Sequence, residues 1–514
     1  MKQTYFKFIL VSSLSVLAFS CNKFLDDKPK TSLTTGNSYS TATDIENVLN
    51  GCYNIFYGSD YYQWEYVMTS DVRSDNAYPG GNNEETFFDY DRFTLPASNS
   101  HNYANWSALY KGIARVNILL NKIEGVTDAK LTAERKKQII GEASFLRAFH
   151  YYHLVKSYGG VPLELASNSA DPSVTRKARS SEKEVYDQIV KDLDVALLNL
   201  PDSYGSTASE NKVRATKGAA NALMAKVWAQ RSDRDYTKVL TYCNAVIGSS
   251  AGYTLLNSYT DLFDGNHKFN AESIMEIPFE EGNWSASSWG IQLYLAPEDG
   301  WQKYCVPSKD LVAAYDAQGD VVRKNANIIF LTKDVNGDPI AWPDENWNPC
   351  QDATVGIPFN FKQKHPGGWA SGDNYYMLRL ADIILLKAEA QNETGKTAEA
   401  AATLNLVRQR VGLTPVATSL SQANLKKAIL EERRLELAFE GQRWDDLVRS
   451  GTAVSTMLAL NEFTNTCAKN KLGQDSLGIP KKMDYSKCST NRLIFPIPQV
   501  EIDANPKLTQ NSGY

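Results

Sequence analysis

The chain has 514 residues, with 54 basic and 59 acidic side chains and a formal net charge of −5. A mildly acidic chain without basic clusters argues against nucleic acid or anionic lipid as the main partner. A chain of this length can bury a large core, but its 27 tyrosines and 10 tryptophans are many, and several of the tryptophans fall in loop-like sequence.

The N-terminal segment predicts an exported protein. Lys2 and Lys7 flank the start of an apolar run over residues 8–19, which is too short to span a bilayer and is typical of a cleaved signal. Residues 17–20 lead into Cys21 and resemble a bacterial lipobox, so we expect a lipid on Cys21; an ordinary secretory peptide is the alternative. We therefore predict a signal peptide over residues 1–20 and a lipid-anchored flexible linker over residues 21–40.

Four pairs of helices are predicted from apolar residues that recur at three- and four-residue steps. The first pair has its apolar stripes at residues 109–123 and 139–149, with Thr132 as the predicted cap of its second helix. The second pair has its stripes at residues 185–200 and 219–227 and begins at a capping box from Ser181 to Glu184. The third covers residues 377–388 and 400–411, and the fourth covers residues 425–448. Small residues near the turns suit close antiparallel packing, as in tetratricopeptide arrays, although the strict consensus is absent.

The helical period is lost between the second and third pairs. Residues 252–374 are rich in Gly, Pro and Trp, with short β-like runs at 273–278 and 327–331. A long irregular stretch inside a compact fold is usually functional. We predict an N-terminal helical part over residues 41–250, a loop-rich ligand-binding region over 251–375 and a C-terminal helical part over 376–514, with 251–514 packed against 41–250 as one globular unit.

The cysteines that remain after Cys21 are even in number, as expected in an oxidising compartment. Cys305 with Cys350, and Cys467 with Cys488, bracket loop-like inserts and are candidates for disulfide bridges. Cys52 and Cys243 sit in helical patterns and are predicted to be buried thiols.

Five motifs, in the expected order, resemble the SusD/RagB family of surface lipoproteins. The most specific is GEASFLRAFHYYHLVKSYGGVPL at residues 141–163, which resembles the second helix of the family. The others are CNKFLDD at 21–27, YMLRLADIILL at 376–386, EERRLELAFEGQR at 431–443 and LIFPIP at 493–498.

The resemblance implies a mainly α, SusD-like fold and a non-enzymatic protein on the outer face of a Bacteroidetes-type outer membrane. It implies that the protein binds oligosaccharide and delivers it to a SusC-like TonB-dependent transporter, without a cofactor. Helical repeats would face the transporter and the irregular region would build the glycan site. Family ligand residues lie in variable loops, so none is transferred by position.

The aromatic loops independently suggest a sugar site. A sugar ring has an apolar C–H face that stacks on Trp or Tyr, and its hydroxyl groups suit planar polar side chains. Any single loop tryptophan can instead fill a small core beneath its loop. The candidates form three clusters: Trp284, Trp289, Tyr294 and Trp301; Trp342 and Trp347; and Trp64, Asp71, Arg73, Asn76 and Tyr78. The helical residues Trp106, Trp228 and Trp444 are predicted to pack in the core.

No catalytic residues are predicted. Glu432, Glu436 and Glu440 recur at four-residue spacing beside arginines, and a solvated or inter-helix ion-pair face explains them better than paired catalytic carboxylates. His150 and His153 are one helical turn apart, but we expect them to be held in a helix interface rather than on a metal.

Calcium is a weak prediction at one loop. Its oxygens would come from Asp334, Asn336, Asp338 and Glu345, but Pro339 stands where a calcium-binding hand requires Gly, so a β-hairpin is favoured. Two functional alternatives stay open beside glycan binding. One is a binder of peptides or another nutrient in the same transporter-coupled role, and the other is an envelope-anchored hydrolase.

Overall fold

The computed structural model describes residues 39–63, 68–80, 85–166, 176–288, 304–333, 337–338, 347, 354–362, 370–460 and 484–514. In the first half of the chain the helices are α1 (Ala42–Tyr53), α2 (Glu85–Asp91), α3 (Ser100–Ile123), α4 (Ala133–Tyr158), α5 (Glu182–Asn199), α6 (Ala208–Val213), α7 (Lys217–Gln230) and α8 (Tyr236–Ile247). In the second half they are α9 (Lys309–Gln318), α10 (Val321–Asn327), α11 (Leu380–Glu393), α12 (Thr397–Arg410), α13 (Gln422–Glu436), α14 (Arg443–Ser450), α15 (Ala453–Ala459) and α16 (Gln499–Ala504). The predicted mainly α fold is confirmed.

Capping side chains start the long helices where the sequence predicts. Thr132 Oγ1 accepts a hydrogen bond from Arg135 N at 3.1 Å at the start of α4. Ser181 and Glu184 form the predicted capping box of α5. Gly159, with φ at +72°, ends α4 in a conformation that a side chain would strain.

The helices pack as antiparallel neighbours, α3 with α4, α7 with α8 and α11 with α12. Close approach of α3 and α4 depends on Gly112, because a Cβ there would lie 2.5 Å from His150 Nε2. His150 is buried in this interface, as predicted, and burial lowers its pKa to about 3. His153, one turn further along α4, is half-buried among the rings of Tyr61, Tyr62 and Phe149.

The second predicted pair is arranged differently from the prediction. Helix α5 packs mainly on α4, and α7 pairs with α8, a helix that the sequence analysis missed. The reason is that α7 is rich in Ala and buried around most of its circumference, so it needs helices on several sides. The N-cap of α8 was a usable signal, since Asp235 accepts from Thr237 N and Lys238 N.

The described strands form three antiparallel pairs. They are β1 (Ala77–Tyr78) with β3 (Val306–Pro307), β2 (Ser273–Ile277) with β6 (Tyr375–Arg379), and β4 (Ile328–Leu331) with β5 (Ile357–Asn360). Strands β2 and β4 confirm the two predicted β-like runs. Because β6 continues directly into α11, the β2–β6 pair joins the loop-rich region to the C-terminal helices.

Most helices share one apolar core. Trp106 and Trp444 are buried as predicted, and Trp228 is half-buried against that core with the cations of Arg231 and Lys238 over its ring. None of the helices in the described ranges combines the length and the apolar character needed to span a bilayer.

A buried ionic cluster joins the C-terminal helices to β2 and β6. Arg379, at the end of β6, contacts Glu436 of α13 at 2.7 Å, Glu272 beside β2 at 2.9 Å and Glu440 at 2.6 Å. The other members are Arg410 of α12, Arg323 of α10, Glu432 of α13 and Lys362 after β5. We call these residues the Arg379 cluster.

The cluster confirms the predicted ion pairing of the α13 glutamates, but their face is not solvated. Glu436 is completely buried, and Glu432 and Glu440 are at most 5% exposed. Burial would raise the pKa of Glu436, but the guanidinium groups of Arg410, Arg379 and Arg323 outweigh burial and hold the pKa below its usual range. The carboxylates are therefore structural counter-ions.

Asp75 makes a second buried ionic contact between distant parts of the chain. Its carboxylate accepts two hydrogen bonds from the Arg443 guanidinium, at 2.7 and 2.6 Å, and lies 3.2 Å from Arg434. Burial would raise the pKa of Asp75, but Arg434 and Arg443 hold it at about 2. The loop before β1 is thereby bound to α13 and α14.

We expect Glu436→Gln to lower the free energy of unfolding by about 3–5 kcal/mol, because it leaves buried arginines without a counter-charge. Urea denaturation followed by circular dichroism measures the change. Lys183→Met is the control, since Lys183 pairs with Asp187 at an exposed site and should contribute less than about 0.5 kcal/mol. A Glu436→Gln protein as stable as the control would contradict a structural role for the cluster.

We also expect stability to fall in acid. Asp75 has a lower pKa when folded, about 2 against 3.8, so its contribution is fully present above pH 4 and is lost as the pH falls toward 2. Asp75→Asn should reduce the total loss of unfolding free energy between pH 4 and pH 2 by on the order of 2 kcal/mol, so that the acid limb of a plot of this free energy against pH becomes shallower. An acid limb with an unchanged slope would contradict the assignment.

Candidate ligand-binding surface

Four predicted glycan contacts, three in the loop before β1 and one within β1, are buried and cannot face a ligand. Asp71, Arg73, Asn76 and Tyr78 are each no more than 3% exposed. Asp71 accepts hydrogen bonds from Phe439 N at 2.9 Å and from Gly441 N at 2.7 Å, in the turn between α13 and α14. Burial raises the pKa of Asp71 to about 6.

The side chains of Arg73 and Asn76 also have partners within the protein. The Arg73 guanidinium lies 4.3 Å from the Phe495 ring centre and 4.5 Å from that of Trp444, and it donates to Leu493 O. Asn76 Oδ1 accepts from Arg434 Nε at 3.0 Å. The prediction for these four residues is wrong. A distant part of the chain uses the polar groups of Asp71, Arg73 and Asn76, and Tyr78 is buried in β1 where it pairs with β3.

Trp284 is the most accessible of the predicted candidates that the structure describes. The residue is 63% exposed, and the turn that carries it is fixed by backbone hydrogen bonds. Glu280 N donates to Ala286 O at 2.8 Å, and Gly282 N donates to Ala370 O at 2.9 Å. The exposed ring therefore stands on an ordered turn, which lowers the conformational entropy lost when a ligand binds.

The side chain of Asn283 organises this turn from within. Its Oδ1 accepts from Ser285 Oγ at 2.8 Å, and its Nδ2 donates to Glu280 Oε2 at 2.8 Å. Polar groups that suit sugar hydroxyls thus lie beside an exposed indole ring. We call residues 280–286 the Trp284 turn.

Trp347 lies against β3 and β4 and is half-buried. Its indole Nε1 donates to Pro307 O at 3.0 Å, and its ring meets that of Phe330 edge to face at 5.4 Å. Phe330 is 41% exposed on β4. Phe330 is not among the predicted residues, although an outward-facing aromatic residue on a short strand is a usable signal.

Further aromatic side chains beside the β1–β3 pair are buried and belong to the apolar core. Tyr304, just before β3, lies 4.4 Å from Phe87 of α2, and Phe87 lies 4.2 Å from His101 of α3, between ring centres. Tyr78 of β1 pairs with Val306 of β3. We call the two accessible rings of this surface, Phe330 and Trp347, the aromatic rim.

Several predicted residues lie outside the described part of the chain. They are Cys21, Trp64, Trp289, Tyr294, Trp301, Asp334, Asn336, Trp342, Glu345, Cys350 and Cys467. Asp338 is described and exposed, so the weak calcium prediction stays a prediction. Cys305 and Cys488 are buried, free thiols whose pKa burial raises, and their predicted partners are not described.

One group of possible metal ligands lies elsewhere among the described residues, at Asp261, Asp264 and His267. Asp264 already accepts from the backbone N of Asn266 and of His267, and its second oxygen lies 2.7 Å from His267 Nδ1. These contacts account for the arrangement as a hydrogen-bonded turn. We assign no metal to it.

Comparison with known proteins identifies the family. The model described as the SusD family matches residues 279–514, and the model described as "Starch-binding associating with outer membrane" matches residues 23–228. A SusD-like protein of Formosa agariphila is 26% identical over 96% of this chain and 97% of its own length. The starch-binding protein SusD of Bacteroides thetaiotaomicron is 23% identical over 78% of this chain and 76% of its own length.

Solved structures agree with the family models. A laminarin-binding SusD-like protein superposes with a TM-score of 0.74 at 25% identity, covering 93% of this chain and all of that one. A SusD superfamily protein from Bacteroides vulgatus has the same TM-score at 22% identity, covering 92% of this chain and 99% of that one. With two family models that together span most of the sequence and a fold shared along almost its full length, the chain belongs to the SusD/RagB family.

Proposed function

We propose that the protein binds a neutral oligosaccharide or polysaccharide through Trp284 and the aromatic rim, and hands it to a SusC-like TonB-dependent transporter without catalysing a reaction. The observation that carries the proposal is the exposed Trp284 ring on an ordered turn. A large amphipathic ring on a turn that is already ordered can contact a ligand with little loss of conformational entropy.

The chemistry of this turn suits a sugar. The indole face can stack on the apolar C–H face of a pyranose, and the side chains of Asn283 and Glu280 offer planar acceptors and donors beside it. Phe330 and Trp347 on the aromatic rim offer a second aromatic contact. A long glycan can use several such contacts, each of them weak.

The relatives favour sugar over peptide as the ligand class. One relative is a starch-binding protein, and one structural neighbour binds laminarin. Both are glucose polymers, and both are neutral. A peptide binder in the same role is the alternative that the experiment below separates.

A hydrolase is not supported by the carboxylates that the structure describes on α13 and in the turn that follows it. Glu432, Glu436 and Glu440 are buried in ion pairs with arginine or lysine, and they have no open cleft between them. A glycosidase needs a pair of carboxylates that flank an accessible bond.

We further propose that Cys21 carries the lipid that holds the protein at the outer face of the outer membrane. The motifs at residues 21–27 and the family model that begins at residue 23 support this arrangement. The division at residues 250 and 375 into helical and ligand-binding parts belongs to the same proposal, because both Trp284 and Trp347 lie between these positions.

We expect Trp284→Ala to weaken glycan binding by at least about 10-fold, or about 1.4 kcal/mol, because the stacking face is lost. Affinity gels with starch, laminarin and other neutral polysaccharides, followed by isothermal titration calorimetry, measure the loss. Leu198→Ala is the matched control, since Leu198 is an 82% exposed apolar residue on α5. If no glycan is retarded while peptides bind, the sugar assignment fails.

We expect Cys21→Ala to release a folded, ligand-competent protein and to abolish uptake of the glycan by cells. Fractionation of membranes and medium, and growth on the bound glycan, measure the two effects. Uptake that survives the substitution would show that the tether is dispensable.

A further inference from the structure

We propose that a groove beside Tyr57, next to the Trp284 turn, is a second sugar subsite that holds a further neutral residue of the same glycan chain. The proposal rests on the proposed function, since it extends the binding surface of the same ligand. The groove lies between the end of α1 and its following turn, helix α6 and strand β2. We call it the Tyr57 groove.

The dimensions and floor of the groove suit a sugar ring. Its volume is about 480 Å³, within the range of small-ligand sites. Phe56, Met275 and Met377 form an apolar floor, and each is less than 5% exposed. Such a floor accommodates the C–H face of a pyranose, and the flexible thioethers adapt to its shape.

Polar groups line the groove in a pattern that suits hydroxyls. Asn50 and Asn54 are exposed at the mouth and are four residues apart on and just after α1, so both amides lie on one face. Each amide offers donors and an acceptor, which matches a hydroxyl that does both.

Glu276 provides an independent sign of a ligand. The residue lines the groove and is 1% exposed, and its Oε2 accepts from Asn374 Nδ2 at 2.9 Å. Its Oε1 is buried with no hydrogen bond of normal geometry among the described residues, although the Ser273 hydroxyl and the Phe269 N–H lie near enough to the carboxylate to interact with it. A buried carboxylate oxygen without a well-placed donor is costly, and a ligand hydroxyl would supply one.

The walls of the groove are held in place before any ligand arrives. The Tyr53 hydroxyl donates to Glu142 Oε2 at 2.8 Å and accepts from Ala215 N at 3.0 Å. Arg214 pairs with the same glutamate at 3.0 Å. Because Arg214 is neutralised in this way and Glu276 is acidic, the groove favours a neutral sugar over an anionic one.

The groove is continuous with the Trp284 turn. The Tyr57 hydroxyl donates to Pro278 O at 2.7 Å, and its ring meets that of Phe279 edge to face at 5.5 Å. Pro278 and Phe279 lead directly into the turn, and burial together with the charge of Glu280 raises the pKa of Tyr57. One glycan chain can therefore contact Trp284 and enter the groove.

The test uses a length series of neutral oligosaccharides from starch, laminarin and any other polysaccharide that the affinity gels retain. Binding to the mature protein and to the Asn50→Ala/Asn54→Ala variant is measured by calorimetry. We expect the variant to bind long oligosaccharides on the order of 10-fold more weakly, and to bind the shortest ones as the wild type does, because these reach Trp284 only. Both asparagines are exposed, so the variant should keep its fold.

Asn244→Ala is the matched control, because Asn244 is an exposed asparagine on helix α8, away from the lining of the groove. If Trp284→Ala weakens binding at every length while the double variant binds every length normally, the groove is not a subsite and the proposed function stands. If the wild type binds no glycan, the proposed function fails and the subsite fails with it. A double variant that loses affinity only for peptides, or for acidic oligosaccharides, would also overturn the inference.

Discussion

Arg379 and Glu436 lie completely buried at the point where β6, α12 and α13 meet. Their ion pair fixes how strand β6 packs against the end of helix α13. Arg379 ends the strand that pairs with β2, and Glu436 ends the helix that precedes the turn at residues 437–442. Moving either charge would leave the other without a counter-ion in a medium that solvates it poorly. The position of β2, and hence of the Trp284 turn that follows it, is set by this contact.

A purely apolar contact of the same size could be equally stable, and buried ion pairs often add little net stability. In this protein the charged groups also fix the orientation of the segments that they join. Arg379 reaches three glutamates on two separate segments through a planar guanidinium, and each contact fixes an angle as well as a distance. A binding surface made of short strands and turns needs a support of this kind, because such elements have few hydrogen bonds of their own.

The sequence predicted the parts of this protein whose causes are local. Thr132 and Ser181 cap their helices with neighbours three residues away, and β2 and β4 follow from short runs of apolar residues. The sequence did not predict the burial of Asp71, whose partner Phe439 is 368 positions away. A polar loop with a tyrosine has the same composition whether water or a distant segment covers it. Trp284 could be chosen by composition, but its exposure depends on hydrogen bonds to residues 370 and 371, which no local pattern reveals. Asn50 and Asn54 were not chosen, because on their own they read as the solvated face of a helix.

The contacts of Asp71 and Arg73 also bear on the order in which the chain can fold. The hydrogen bonds of Asp71 require the backbone of residues 439 and 441, and that of Arg73 requires Leu493, 420 positions further along. During synthesis the early loop has buried charges and amides to satisfy but no partner until nearly the whole chain has emerged, and contacts of such long range form slowly. The loop of an unfinished chain therefore cannot reach its final packing, which would suit the exported protein that we propose, because such a chain crosses a membrane before it folds.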